Sequence, residues 1–381
     1  MATQFARDLV ARDLGPAPAT VRAAGKRYLI GPIADFWCFG GSALIILPLL
    51  LLLPAAQFEA SLGSAMMLVA YAINYPHFAH SYQIFYRGFR AKGFTPALSP
   101  AMRFRYVFAG VAAPALLALF FAICLVRGDV RLLGYGANAM MLFVGWHYVK
   151  QGYGLLMVDC TLKRQFFAPQ EKRILLLNSY AVWIASWVFI NHALSNQSLW
   201  NIGYYMFALP GWLLAGTIAV AAGTTGAAAW MLWSRWRFAR AVPANGLPVN
   251  GLIAYFASLY LWQAFVTLNP LWILVSPALH SLQYLAVVWR YQTNFERARQ
   301  DPQTGTFGKV VRFSLVGAAL GFCGFWLLPI LGDTLVPYDK ALFGGTALMF
   351  IAWVFINVHH YFIDNVMWRR ENPDAKAYLF S

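Results

Sequence analysis

Six of the seven histidines in this sequence lie inside long apolar stretches. They are His77, His80, His147, His280, His359 and His360. Ionisable side chains are costly inside a membrane and usually mark a functional path or site. Neutral imidazole is also the commonest metal ligand among side chains. The histidines therefore predict a metal site buried within a membrane protein, although any single buried histidine is more often a core residue that bridges helices.

The distance from each histidine to the next basic loop predicts a common depth. His77, His280 and His359 lie ten residues before Arg87, Arg290 and Arg369, respectively. At a rise of 1.5 Å per residue, this places them about 15 Å from the membrane edge, near the midplane. His80 and His360 are within a turn of that level, and His147 lies in a similar span. We expect these six side chains, carried by four helices, to converge on one site.

Their spacing along each helix refines this expectation. His77 and His80 are three residues apart, and such residues share a helix face. His359 and His360 are about 100° apart around the helix axis, so either both enter one site or one supports the other. His192 lies at the opposite end of its span, beside Asn191, and is predicted to be interfacial or structural.

Hydrogen-bonding side chains recur about one turn after the histidines. The pairs are His80 with Gln83, His147 with Gln151, His280 with Gln283, and His360 with Asp364. A metal-bound imidazole needs a partner on its other nitrogen. Gln83, Gln151 and Gln283 are therefore predicted to orient ligands, and Asp364 to orient a ligand or to act as a catalytic base. Asn357, in an Asn-x-His-His motif, is a candidate weak ligand or hydrogen-bond donor.

The composition indicates an all-α polytopic membrane protein. Of 381 residues, 60% are hydrophobic, 17% aromatic and only 11% charged, which is unlike a soluble domain. Ten apolar runs are each long enough, or nearly so, to cross a membrane. They cover residues 33–54, 62–86, 104–126, 134–158, 174–195, 205–233, 250–267, 271–291, 313–331 and 342–368. We expect a basic arm over 1–32, a transmembrane domain over 33–370 and a cytoplasmic tail over 371–381.

The formal net charge of +15 comes mainly from Lys and Arg in alternate loops, which is the pattern of a membrane protein with its basic loops on one side. This distribution argues against nucleic acid as a partner. Most Lys and Arg residues fall in alternate loops, within 87–105, 163–173, 235–240, 290–312 and 369–376. The opposite loops have few, and these are offset by aspartates. The asymmetry predicts both termini in the cytoplasm, in a multi-pass protein such as one of a bacterial inner membrane.

Two weaker patterns concern the helices that carry the histidines. His80-Ser81 recurs as His280-Ser281, and His147-Tyr148 as His360-Tyr361, which suggests a parallel internal repeat. Pro76 and Pro277 each precede a histidine inside a span and are predicted to kink their helices.

The donor set limits the metal. The four cysteines form no Cys-x-x-Cys pair, and few carboxylates are available, so imidazole nitrogens dominate. Such a set suits iron, copper or zinc and disfavours magnesium and calcium. Six histidines exceed the needs of a mononuclear zinc hydrolase. A mononuclear or dinuclear iron centre, activating O₂ for attack on an apolar lipid or isoprenoid-like substrate, uses them better, and an electron-donor protein is a possible further partner.

The set His77-x-x-His80, His147, His280 and Asn357-x-His359-His360 resembles the His-rich integral-membrane non-haem iron oxygenases. These include fatty-acid desaturases and hydroxylases and the bacterial membrane carotene dioxygenases. The resemblance covers the histidine-bearing helices and implies iron and an apolar substrate. Asn357 stands where a desaturase box has a further histidine, and the histidines lie on separate helices near mid-membrane, which is more similar to the carotene dioxygenase pattern.

Two other functions fit the same residues. A b-type haem could be held by two histidines on facing helices. Histidines near the midplane could instead relay protons or pass metal ions through a transporter. Bound, non-exchanging metal without a haem spectrum distinguishes the enzyme from both alternatives.

Overall fold

The computed structural model describes residues 27–193, 198–239, 246–299 and 305–380, which are almost entirely helical. The prediction of an all-α helical bundle is confirmed. Strands in this part of the chain are limited to a two-residue antiparallel ladder between Ser198–Leu199 and Ile202–Gly203. The predicted basic arm, 1–32, lies mostly outside the described residues.

Fourteen helical segments are numbered here in chain order, and several of them contain a π-helical turn. The first seven are α1 (Pro32–Leu50), α2 (Ala55–Ala72), α3 (Asn74–Tyr86), α4 (Phe89–Phe94), α5 (Pro100–Arg127), α6 (Val130–Lys163) and α7 (Pro169–Ala193). The others are α8 (Gly211–Ala239), α9 (Val249–Phe256), α10 (Pro270–Ala298), α11 (Thr306–Leu335), α12 (Lys340–Phe343), α13 (Ala347–Met367) and α14 (Pro373–Leu379).

Eight segments in the described residues are long and apolar enough to cross a membrane, which indicates a multi-pass membrane protein. They comprise α1, α2 with α3, α5, α7, α8, α10, α11 and α13. The sequence predicted about ten. The two remaining apolar runs are also helical, but α6 carries polar residues such as Lys150 and Asp159, and α9 with its π-helical continuation Ala257–Ala264 is too short.

The two prolines have different effects on their helices. The span that contains Pro76 is divided at Ile73, where α2 ends and α3 begins. A proline ring excludes the helical carbonyl four residues earlier, which explains a break just before Pro76. Pro277, in contrast, lies inside the continuous helix α10. The kink predicted at Pro76 is therefore a break between α2 and α3, whereas α10 continues through Pro277 without interruption.

Three buried aspartates fix the backbone at a helix start or, for Asp35, just before one. The carboxylate of Asp35 accepts hydrogen bonds from the backbone N–H groups of residues 29–31. Asp159 accepts from the N–H of Gly251 in α9, and Asp333 accepts from two N–H groups at the start of α13. The first N–H groups of a helix lack partners within the helix, so a carboxylate placed there stabilises it. Asp333 thus fixes the start of a helix that carries His360.

Segments from three of the arginine-rich regions, 87–105, 290–312 and 369–376, contact one another. Lys92, in the last turn of α4, forms an ion pair of 2.9 Å with Asp374 at the start of α14. Asn294, near the end of α10, donates to the carbonyl of Tyr378. The residues predicted to form a tail, 371–381, thus include a short helix packed against the bundle, with Tyr378 and Leu379 buried.

Helices α10 and α13 form the centre of the bundle, and α8 lies at its periphery. Of the most apolar window of α10, 67% is buried, compared with 56% for α13 and 6% for α8. Helices α3 and α6 pack against α13, and α3 also packs against α10 and α11. The chain therefore surrounds a four-helix centre, formed by α3, α6, α10 and α13, with more lipid-facing helices.

Candidate metal centre

The four central helices each contribute one histidine to a cluster of contacting rings. It consists of His77 on α3, His147 on α6, His280 on α10 and His360 on α13. The ring centroid of His77 lies 4.6 Å from that of His360 and 5.3 Å from that of His280. The centroid of His147 lies 4.9 Å from both His280 and His360. All four side chains are buried, with His360 completely inaccessible. We call these four residues the histidine cluster.

Several nitrogens of the cluster have no hydrogen-bond partner in the described part of the chain. They are Nε2 of His77, Nε2 of His147, Nδ1 of His280, and both ring nitrogens of His360. A buried polar atom without a partner costs free energy and calls for an explanation, such as a bound ion. One nitrogen from each of His77, His147 and His360 falls into a group whose atoms are all within 4.8 Å of one another. This buried triad could hold a metal ion.

The hydrogen bonds of His77 prepare it for such a role. Its Nδ1 lies 3.2 Å from the hydroxyl oxygen of Ser281, and that hydroxyl donates to Asn74 Oδ1 at 2.7 Å. Because the only proton of the Ser281 hydroxyl is used in this way, the Ser281 oxygen must accept from Nδ1–H of His77. The lone pair of the neutral ring is then on Nε2, which is the nitrogen without a partner. Ser281 thus selects the tautomer that can bind a metal.

Asp364 places a carboxylate at the edge of the cluster, one turn after His360 on α13. Its Oδ2 lies 3.3 Å from Nε2 of His360 and 3.9 Å from Nε2 of His147. Its Oδ1 accepts a 2.9 Å hydrogen bond from the hydroxyl of Tyr284. Unlike the side chains of Asp35, Asp159 and Asp333, that of Asp364 has no bond to a backbone N–H among the described residues. It can therefore orient the imidazoles, accept a proton or supply an oxygen donor.

Aromatic rings enclose the histidine cluster. Tyr148 stacks on His280 with centroids 4.1 Å apart, and Tyr361 stacks on His147 at 4.6 Å. Phe78 contacts His360 at 4.7 Å. Trp262 contacts His280 from the π-helical segment after α9, and π-helical turns are frequent at functional sites. This lining excludes water and lowers the local dielectric constant, which strengthens electrostatic interactions inside the site.

The donor set fits a transition metal. Imidazole nitrogens with one carboxylate suit iron, copper or zinc rather than magnesium or calcium. Two nitrogens bound to one tetrahedral zinc at about 2.1 Å would lie about 3.4 Å apart. The nitrogens of the triad, which are up to 4.8 Å apart, would thus need to approach by little more than an ångström.

His80 lies outside the cluster, although it was predicted to share the site with His77. Its Nδ1 donates to Oε1 of Gln83 at 2.7 Å, as the sequence predicted for that glutamine. Its ring stacks on Phe313 of α11 with centroids 4.5 Å apart. A Cβ atom on Gly317 would overlap the His80 ring, so this glycine permits the close approach of α11. Residues three positions apart differ by about 60° around the axis, which suffices to aim them at different neighbours.

His359 is held by two hydrogen bonds away from the cluster. Its Nε2 lies 2.9 Å from the carbonyl oxygen of Ala109, which can only accept, so Nε2 carries the proton. Its Nδ1 then accepts from the hydroxyl of Tyr82 at 2.9 Å. Both nitrogens are occupied. The predicted convergence thus applies to four of the six histidines, and a ligand role for His80 and His359 remains a prediction.

The other predicted site residues support the cluster indirectly. Gln151 donates to the side chain of Gln283 and to the backbone carbonyl of His280, and Gln283 donates to the carbonyl of Phe39. The two glutamines thus join α6, α10 and α1 rather than bonding to a histidine ring. Asn357 accepts from the hydroxyl of Tyr361, the residue that stacks on His147.

His192 lies at the end of α7 and is exposed, as expected for a residue outside the site. Lys150, which also falls in an apolar run, is half-buried. The buried carboxylate of Asp159 pairs with Lys163 at 2.8 Å.

The sequence reading missed the tyrosines and serines around the histidines. Tyr284 is one turn after His280, bonds to Asp364 and contacts the His77 ring. Ser81 is one turn after His77, and its hydroxyl bonds to that of Tyr284. The spacing of four residues, used to find the glutamines, would also have selected these residues.

Comparisons of the chain with protein-family models, curated proteins and solved structures gave no match.

Proposed function

We propose that this protein is a membrane metalloenzyme whose histidine cluster binds iron and oxidises an apolar, lipid-like substrate with O₂. The observation that supports it best is the convergence of four buried imidazoles with unpartnered nitrogens. Keeping four such groups together in an apolar interior costs stability unless they bind something. A metal ion satisfies these nitrogens simultaneously, and a simple structural role does not.

His77, His147 and His360 would hold the ion, with His280 beside them. Iron bound to imidazoles would supply one-electron and O₂ chemistry suited to unactivated C–H or C=C bonds. Copper has the same ligand preferences and is the closest alternative. An apolar substrate fits the aromatic lining and the membrane setting, since such a molecule reaches the site from the lipid phase.

The protein groups around the ion would control protons and orientation. Asp364 Oδ2 faces two imidazoles, and its Oδ1 is fixed by the Tyr284 hydroxyl, whose oxygen accepts from Ser81. Asp364 can therefore hold a proton at Oδ2 while Tyr284 and Ser81 keep the carboxylate oriented. Tyr361 stacks on the ring of His147, and Asn357 holds Tyr361 in place by accepting a hydrogen bond from its hydroxyl.

The ring contacts favour a non-haem ion over a haem. A bis-histidine haem requires a flat cavity between two facing imidazoles. Here each histidine of the cluster contacts one or more of the other three, and Tyr148, Tyr361 and Phe78 pack directly on their rings. A transporter would need an aqueous path to this point, and the aromatic lining opposes one.

Metal analysis with an optical spectrum of detergent-purified protein tests the proposal. We expect one or two irons per chain without a Soret band, and consumption of O₂ with a fatty-acyl or isoprenoid substrate. A Soret band would identify a haem protein instead. If the bound metal were copper, copper would take the place of iron in the proposal. A purified chain without bound metal would contradict the proposal. Metal flux in liposomes would favour transport.

We also propose that both termini lie in the cytoplasm, as in a bacterial inner-membrane protein. The support is the clustering of basic loops around Lys92, Asp374 and the end of α10. A green fluorescent protein fused to the C-terminus should fluoresce, and an alkaline phosphatase fused there should be inactive. The reverse result would invert the topology.

A further inference from the structure

A second polar site lies at the arginine-rich end of the bundle, where α3, α10 and α11 meet. A cavity of about 460 Å³ opens there. Its polar lining includes Arg87, Gln292, Glu296, Arg299, Lys309 and Arg312. Four of these side chains are cationic and one is anionic, so the lining has a positive excess of three. The cavity is distinct from the histidine cluster, and nothing in this inference depends on a bound metal.

Arg87 is built into the wall of this cavity. Its Nη2 donates to Oε1 of Gln292 at 2.9 Å, and Gln292 donates in turn to Glu296 at 2.7 Å. The guanidinium carbon lies 4.0 Å from the ring centroid of Phe295, and Arg299 contacts the same ring at 5.3 Å. These contacts place two positive charges against one aromatic ring, and Glu296, the one carboxylate of the lining, offsets only part of the positive charge of the lining.

The same guanidinium has an unused donor. Nη1 of Arg87 is buried and has no hydrogen-bond partner in the described residues. Burial lowers the pKa of Arg87 below that of a free guanidinium; among the smaller effects, Tyr291 and Glu296 raise this pKa and Arg299 lowers it further. A buried cationic donor without a partner is costly, and an oxyanion is its strongest natural partner.

We propose that this cavity binds the phosphate group of an amphiphilic ligand such as an acidic phospholipid. A phosphate matches the positive excess better than a carboxylate because it carries up to two charges and three acceptor oxygens. Arginines bind phosphate through two parallel hydrogen bonds, and lysine binds it as a point charge. Basic pockets between membrane helices commonly hold phospholipid headgroups. Phe295, Phe313 and Val316 add an apolar part to the lining, suited to the first carbons of a lipid chain.

Gln83 lies on α3, the helix that also carries His77 of the histidine cluster, and so connects this cavity to that helix. It lines the cavity and accepts from His80 Nδ1, and its amide donates to the carbonyl of Phe313. Six residues, or about 9 Å along a helix, separate Gln83 from His77. His80 and Gln83 therefore support the wall of the phosphate site.

Titration calorimetry in a neutral detergent tests the site with three probes. They are dioctanoyl phosphatidic acid, dioctanoylglycerol and inorganic phosphate. We expect saturable binding of phosphatidic acid and none of dioctanoylglycerol. Arg312→Gln and Arg299→Gln, both at exposed positions, should each weaken binding about tenfold, which corresponds to about 1.4 kcal/mol. Arg370→Gln removes the same charge from an exposed position outside the cavity and should leave the affinity unchanged.

The outcomes separate the two sources of phosphate. If inorganic phosphate binds as tightly as phosphatidic acid and displaces it, the site is a phosphate site for a soluble ligand and the lipid assignment is wrong. Equal affinity of the Arg312→Gln, Arg299→Gln and Arg370→Gln variants, or no saturable binding of either phosphate probe, would overturn the proposal. Because the arginine variants leave the histidine cluster intact, their metal content should equal that of the unmodified protein.

Discussion

Two groups of histidines in this bundle are similarly buried but have different surroundings. His77, His147, His280 and His360 contact one another and keep unpartnered ring nitrogens. His80 and His359, three and one positions away from cluster members, bond to Gln83 and to Tyr82 with Ala109. The comparison indicates that unpartnered ring nitrogens, rather than burial alone, distinguish the candidate metal ligands among these histidines. Both ring nitrogens of His359 and Nδ1 of His80 are occupied by protein partners, and a ligand role for these two histidines remains a prediction.

The largest expected difference between the groups is in metal binding by His360→Ala. This change removes a ring that contacts His77 and His147, and we expect the bound metal to fall at least about tenfold. Metal content per chain, measured by inductively coupled plasma mass spectrometry after gel filtration, checks it. His359→Ala is the matched control because it removes the adjacent imidazole from the same helix. If both variants lost the same amount of metal, the comparison would fail.

Asp364→Asn should have the next largest effect. The amide keeps the shape of the side chain but removes the negative charge 3.3 Å from Nε2 of His360. Carboxylates that orient metal-binding histidines typically contribute 10- to 100-fold in metal affinity or activity. We therefore expect the metal affinity to fall by about tenfold or more. Competition with a chelator of known affinity measures it. Unchanged affinity would assign Asp364 to proton transfer or to structure alone.

The convergence of histidines from four helices at one level of the bundle could be predicted from the sequence, whereas the direction of each side chain could not. His77, His280 and the pair His359-His360 precede a basic loop at a fixed spacing, and the rise of a helix is constant. The angle of a side chain around its helix axis shows which residues it contacts only when the helices packed on each side are known. Gly317 brings α11 against His80, and the carbonyl of Ala109 reaches His359. These are long-range contacts that no local pattern encodes.

The number of spans and the hydrogen-bond partners of the glutamines were also predicted only in part from the sequence. Apolar runs located all ten helical stretches, but the polar residues of α6 and the shortness of α9 leave eight that meet the requirements of a span. Gln151 and Gln283 were expected to bond to histidine rings. They bond instead to each other across two helices, because a long side chain can reach an adjacent helix as easily as its own turn.

His359→Ala should affect stability more than metal binding. Removing the ring leaves the Ala109 carbonyl and the Tyr82 hydroxyl without this partner in a buried region. The cost of such unpaired groups is about 1–3 kcal/mol. Thermal unfolding in detergent should show a lower midpoint, with the metal content of the folded protein unchanged. A variant with normal stability but little metal would place His359 with the histidine cluster.

The smallest effect is expected from His192→Ala. This variant tests whether an exposed histidine outside the cluster binds the metal that is measured in the purified protein. His192 is exposed at the end of α7 and is not part of the buried group that could hold an ion. Surface imidazoles bind metals from solution weakly, because they lack neighbouring ligands and compete with water. The variant should therefore keep the metal content, the spectrum and the unfolding midpoint of the unmodified protein. If the metal were lost with His192, the ion measured in purified protein would be a surface contaminant, and the unpartnered nitrogens of the histidine cluster would need another explanation.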